Sequence, residues 1–139
     1  MDEKITLSGV PETMLQTIYA RAKESKDRGA IHDKKAEEII GKLNYDFSLA
    51  DKDAPMHSGV IARTIVLDKL VSEYLANNPG AIVVNIACGL DTRCYRMTGF
   101  KHWYNLDLPE TIAVREKLLP ESGNITQIAD RLGISVSKV

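Results

Sequence analysis

AIVVNIACGLDTR, residues 81–93, is the stretch that decides the fold. Its first seven residues are apolar apart from Asn85, four of them β-branched, and a turn bounds them on each side, Asn78-Pro79-Gly80 before and Cys88-Gly89-Leu90-Asp91 after. A short run of this kind is what a strand buried on both faces of a parallel sheet looks like. Downstream, the pattern predicts a short helix over 93–97, a second strand over 102–106, a helix over 110–118 behind Pro109, and a third strand over 125–129. Strand, turn, helix, strand, helix, strand is the order of an α/β doubly wound sheet.

Upstream of residue 81 the period is helical. Pro11 suits a first helical turn, Glu12 complements the positive end of the dipole, and Met14, Ile18 and Ala22 recur at i+4, which predicts a helix over 11–24. Ala36, Ile39, Ile40 and Leu43 share one face of a second helix over 33–43. Asp51, Asp53 and Pro55 break the pattern, so 44–57 reads as a loop, and a third helix follows over 59–77 with Ile61, Ile65, Leu67, Leu70, Val71 and Tyr74 mostly to one side. The chain thus reads as a helical region, 1–80, followed by the first strands and helices of a sheet, 81–139.

Composition narrows the function classes. With 139 residues, 44% of them hydrophobic, the chain is expected to fold as a single unit. Eighteen Lys and Arg against 19 Asp and Glu leave a net charge of −1, which provides neither a basic footprint for nucleic acid nor a polybasic membrane anchor. The start, MDEKITLSGV, has two acids and no apolar core of a signal peptide, and no stretch is long enough to span a membrane. Two cysteines, Cys88 and Cys94, cannot form a disulfide framework and match no zinc spacing, so a reducing cytoplasm is expected.

In such a sheet the ligand sits outside the carboxyl ends of the strands. Here that places Ala87, Cys88, Gly89, Leu90, Asp91 and Thr92 after the first strand, with Asp107 ending the second. An acid about 20 residues beyond the first strand can reach the ribose hydroxyls of a nucleoside lying over that strand. Gly89 lets backbone and ligand approach closely. A dinucleotide fingerprint would need bare glycines around a pyrophosphate, whereas this turn has one glycine and a carboxylate, Asp91, at the phosphate position. S-adenosylmethionine has no phosphate and carries a sulfonium and an ammonium, so the turn favours it over NAD.

Four runs then carry a resemblance. VPETMLQTIYARAKES (10–25), GVIARTIVLDKLV (59–71), VVNIACGLDTRCYRM (83–97) and WYNLDLPETI (103–112) together resemble the leucine carboxyl methyltransferase family, including its bacterial polyketide-type O-methyltransferases. The resemblance covers 10–129 in the same order and spacing. It implies a Rossmann-type S-adenosylmethionine-dependent O-methyltransferase, represented by its N-terminal part, acting on a small-molecule or peptide carboxylate. It places Arg63 on the cofactor's carboxylate, a charge-assisted contact that Lys would make less well. Gly89, Asp91 and Thr92 match the family's GLDTR turn, and Asp107 its ribose acid. Two positions depart: Ala87 replaces the first glycine of LGCGLDTR, where its methyl group crowds the cofactor, and Asn105 replaces the first acid of YDLDLPE. Because a carboxylate acceptor is already ionised and the sulfonium is a strong electrophile, the reading assigns no catalytic acid or base. An alcohol acceptor would need one, and His57 and His102 are the histidines near the motifs.

Plainer roles stand beside these. Arg63 could simply face solvent on its helix, Asp107 could cap the helix behind Pro109, and Cys88 could be a small buried apolar residue. His32, His57 and His102 are dispersed, and the charged run 21–35 suits a solvated face. A rival function lies at the C-terminus, where TQIADRLGISVSKV (126–139) fits a helix-turn-helix spacing with only Arg131 and Lys138 to meet phosphates. The alternative is therefore a non-enzymatic remnant or regulatory module. A family sheet of about seven strands begins here only at residue 81, so the chain is expected to be C-terminally truncated. Inactivity by itself and self-association through an open sheet edge are the corresponding expectations.

Overall fold

A computed structural model describes residues 12–119 and 122–130. These residues fall into two compact units, Met1–Lys69 and Leu70–Val139. The first unit carries α1 (Glu12–Asp27), α2 (Lys34–Lys42), α3 (Ser48–Asp51) and the start of α4 (Ala54–Asn77). Leu15, Ile18, Ala22, Ala36, Ile39 and Leu43 form its interior. Gly29 at φ 74° closes α1, where its N–H reaches the carbonyl of Glu24 at 2.7 Å. Asp33 caps α2: one carboxylate oxygen accepts from the amide of Ala36 at 3.0 Å while the other meets Arg21 Nε at 3.2 Å. Both side chains are buried, so this pair ties the two helices together with little solvent screening.

The loop expected over 44–57 is a correction. Ser48–Asp51 is a helical turn, and α4 begins at Ala54 rather than near residue 59. Asp53 Oδ1 accepts from the amide of Met56 at 3.0 Å, so the aspartate read as a loop residue is an N-terminal cap. Pro55, read as a breaker, occupies the first helical turn, where a missing N–H costs nothing.

The second unit is built on three parallel strands in the order β1-β2-β3: β1 (Ala81–Ile86), β2 (Phe100–Asp107) and β3 (Ile125–Ala129). The first connection holds a 3-10 turn, Arg93–Tyr95, and the second holds α5 (Pro109–Leu118). Val83 pairs with Trp103, Asn85 with Asn105 and Ile86 with Leu106; Asn105 then pairs with Gln127. Leu75, Cys94, Trp103 and Ile125 make a core on one face of the sheet, with Val71, Ala81, Val83 and Phe100 packed against it. Burying each of the larger side chains contributes roughly 1.5–3 kcal/mol. This is the α/β architecture expected for part of a Rossmann-like sheet with helices before it.

Residues 126–129, which the helix-turn-helix spacing would put in a helix, pair with β2 instead, because Ile125 and Gln127 alternate inward from a parallel ladder. The rest of that pattern, 131–139, lies outside the described residues. Among the described residues, no helix is long and apolar enough to cross a membrane.

Candidate functional site at the carboxyl ends of β1 and β2

The chain leaves β1 in a left-handed conformation. Ala87 has φ 59° and Gly89 φ 49°, so the turn rises sharply from the sheet between Ile86 and Thr92. Gly89 adopts such a φ without cost, whereas Ala87 does so against its Cβ. Three amides of the turn are consumed locally. Cys88 N–H donates to the carbonyl of Leu106 at 3.1 Å, and Asp91 N–H donates to the carbonyl of Cys88 at 2.8 Å. Gly89 N–H donates to Asp107 Oδ2 at 2.8 Å.

Asp107, 6% exposed, therefore joins the two strand ends directly. Its other oxygen accepts from the amide of Leu108 at 2.7 Å. It does not cap α5: that position belongs to Leu108, whose carbonyl takes the Ile112 amide. Asp91 turns back toward β1, accepting from Asn85 Nδ2 at 3.0 Å and pairing with Arg93 at 3.4 Å. Thr92 is fully buried, and its hydroxyl accepts from Arg96 at 2.7 Å. The structure thus brings Ala87, Gly89, Asp91, Thr92 and Asp107 together at one end of the sheet. Arg63, exposed on α4, belongs to the first unit.

Two features of the site escaped the sequence reading. The first is Arg115 on α5, which is 0% exposed and donates from Nη1 to the carbonyls of Gly89 at 3.1 Å and Asp91 at 2.6 Å. One buried guanidinium thus fixes both carbonyls of the turn. Its signal was present: Arg115 sits between Ile112 and Leu118 on the buried side of α5, a place where a charged residue needs a partner. The second is a polar ladder beneath the turn. Asn85 Nδ2 also donates to Asn105 Oδ1 at 3.3 Å, which accepts from Trp103 Nε1 at 3.0 Å, while Asn105 Nδ2 faces Cys94 Sγ at 3.7 Å. Asn105, the departure from the family's acid, is fully buried; its amide satisfies two donors and one sulfur without bringing a charge into the core.

Burial pushes the Cys88 thiol up to about 12, against the opposing pull of Arg115, and raises that of Cys94 too. Both are buried free thiols, held protonated and unreactive at neutral pH. The histidines near the motifs are engaged elsewhere: His57 Nε2 lies 3.2 Å from Glu24 Oε1, and His102 Nε2 lies 2.7 Å from Thr126 Oγ1. A separate cavity of about 580 Å³ lies in the first unit, lined by Tyr19, Lys23, Lys26, Glu37 and Asp51, with Lys23 and Asp51 paired at 2.8 Å.

Parallel strands with a left-handed turn behind the first and a buried acid ending the second define the class of Rossmann-like sheets that bind nucleoside cofactors at their strand ends. The profile of the leucine carboxyl methyltransferase family matches residues 14–136, and the chain belongs to that family. It is 39% identical over 127 residues to the tetracenomycin polyketide synthesis O-methyltransferase TcmP of Streptomyces glaucescens, covering 87% of this chain and 46% of that protein. It is 30% identical over 130 residues to the S-adenosyl-L-methionine-dependent methyltransferase dpfgK of Gibberella zeae, covering 85% of this chain and 44% of that protein. The chain spans about half the length of the curated relatives it matches.

Proposed function

We propose that this chain carries the S-adenosylmethionine-binding part of an O-methyltransferase whose acceptor is a carboxylate on a small molecule or peptide. One observation carries the choice of cofactor. The amides of Cys88, Gly89 and Asp91 all point to partners within the protein, so these three N–H groups are not available to cradle a pyrophosphate. The turn offers instead two carboxylates, Asp91 and Asp107, an acceptor set that suits a phosphate-free cofactor bearing positive charge. The names of the two relatives, one an O-methyltransferase and one S-adenosyl-L-methionine-dependent, support the same reading.

When bound, the cofactor supplies a methyl group on a sulfonium, which needs no prior activation. Each oxygen of Asp107 accepts one amide and retains a second lone pair for a ribose hydroxyl. Asp91 adds negative charge for the cationic end of the cofactor, and Ala87 and Gly89 form the backbone wall it lies against. Thr92 shapes the turn from beneath, and the family resemblance assigns Arg63 to the cofactor's own carboxylate. The acceptor carboxylate is ionised at neutral pH, so the protein's task is alignment rather than proton transfer. Its buried free thiols suit the reducing cytoplasm we assign to the chain.

Since the chain spans about half of its relatives, the 139 residues alone bind cofactor without completing methyl transfer, and β1, which pairs with β2 alone among the described residues, lets copies associate. Calorimetric titration tests the assignment. Saturable heat with S-adenosylmethionine, none with NAD, and its loss in Asp107→Ala and Arg63→Ala is the expected result. Binding of NAD, or unchanged cofactor binding in both variants, overturns it.

A further inference from the structure

We infer that Arg115 is a positioning residue of the cofactor site: by holding the carbonyl of Gly89 it keeps the Gly89 amide on Asp107, so that this acid is ordered before any cofactor arrives. The inference rests on the cofactor reading above. What points to it is where the guanidinium spends its donors. Nη1 gives both of its hydrogens to the turn after β1, to the carbonyls of Gly89 at 3.1 Å and Asp91 at 2.6 Å. Nη2 faces Cys94 Sγ at 3.8 Å, just beyond the same turn, and Nε is buried with no hydrogen-bond partner. Burying a guanidinium carries a large desolvation cost, and here the two carbonyls that offset it belong to the turn and not to the helix that carries it. The helix supplies the aim: Ile112 and Leu118, buried on α5 at either side of Arg115, seat that helix against the sheet. A charged donor carried on a packed helix positions its target more firmly than one carried on a loop.

Gly89 is held at both ends. Its carbonyl accepts from Arg115 and its amide donates to Asp107 Oδ2 at 2.8 Å, with φ at 49° between them. Glycine alone resists neither rotation, because it lacks the Cβ that would restrict them, so the two hydrogen bonds supply the restraint. Without Arg115 the peptide plane after Gly89 turns freely and the Gly89 amide drifts from Asp107. The Asp107 carboxylate then keeps only the amide of its own neighbour, Leu108, at 2.7 Å. Asp91 depends on the same guanidinium: its carbonyl accepts from Nη1, while its amide lies on the carbonyl of Cys88 and its carboxylate accepts from Asn85. One side chain on α5 thus orders the backbone that carries or contacts both carboxylates of the site. Order present before binding is entropy that association does not have to supply, so Arg115 acts on cofactor affinity without touching the cofactor.

The test compares variants of the 139-residue chain by amide spectroscopy without cofactor and by calorimetric titration with S-adenosylmethionine. In Arg115→Met the Gly89 amide proton is expected to move upfield as its bond to Asp107 loosens, and affinity to fall about tenfold or more. Arg115→Lys keeps the charge on a shorter side chain with no planar fork; both readouts are expected to lie between the parent and Arg115→Met, and this variant carries the test if Arg115→Met does not fold. Leu118→Ala opens a cavity on the same helix without touching the turn. It should lower the melting temperature while the Gly89 resonance and the affinity stay at the parent values. A Gly89 amide indifferent to both Arg115 substitutions, or an affinity loss that Leu118→Ala reproduces, overturns the inference. A parent chain that binds no S-adenosylmethionine counts instead against the site assignment, since the Gly89 resonance is read in the cofactor-free chain.

Discussion

Replacing Ala87 by glycine should stabilise the protein, although it removes atoms. Ala87 is the one non-glycine among the described residues with a positive φ, and at 59° its Cβ crowds the following carbonyl at a cost of roughly 1–2 kcal/mol. Glycine removes that strain but loses about 0.4–1 kcal/mol to the greater freedom of the unfolded chain. The Ala87 side chain is exposed, so no buried contact is lost with the methyl. The net expectation for Ala87→Gly is a gain of roughly 0.5–1 kcal/mol, equivalent to a rise in Tm of about 2–4 °C for a chain of this size. Ala87→Val should move the other way by more than 1 kcal/mol, because a β-branched residue tolerates this region least. Urea denaturation followed by circular dichroism reads both at constant m-value. An Ala87→Gly midpoint at or below that of the parent protein would refute the reasoning, since it would mean that the left-handed turn stores no strain.

Arg115→Met should destabilise by about 2–4 kcal/mol in urea melts, because the carbonyls of Gly89 and Asp91 both lose a charged donor. The pH dependence above neutrality carries a signature of Cys88. Its folded thiol titrates near 12 against an ordinary value of 9.0, so the protein holds this proton more tightly than the unfolded chain does. The corresponding stability is complete below pH 9 and is lost as pH rises toward 12, at about 1.4 kcal/mol per pH unit at most; Cys88→Ala should flatten that part of the profile in alkaline melts. Asp107→Asn keeps the size of the side chain but leaves one acceptor oxygen for two amides, and equilibrium dialysis should show S-adenosylmethionine affinity reduced at least tenfold.

Legibility in the sequence followed the range of the interactions. AIVVNIA announced β1 because its β-branched run needs no partner to be recognised, and the strands over 102–106 and 125–129 followed at α/β spacing, with β2 extending to Phe100–Asp107. Pro55 and Asp53 misled because the same residue types that end a helix also begin one, and only the Asp53 bond to the Met56 amide distinguishes the two. The turn after β1 was legible as a site, yet its wiring was not. That Asp107 spends an oxygen on Gly89 depends on strand register, and that Arg115 holds two carbonyls depends on how α5 packs. The same dependence hid the reason for Asn105, a departure from the family pattern that becomes intelligible once Trp103 and Asn85 are seen to share its carbonyl oxygen.

A turn that spends the amides of Cys88, Gly89 and Asp91 internally and sets two carboxylates, Asp91 and Asp107, beside them is expected to take S-adenosylmethionine rather than a dinucleotide. Amide chemical-shift titration of the isotopically labelled chain tests this most directly. Saturable shifts at Ala87, Gly89 and Asp107 are expected on adding S-adenosylmethionine and none on adding NAD. Shifts at those amides with NAD, or S-adenosylmethionine shifts confined to other parts of the chain, would contradict that expectation.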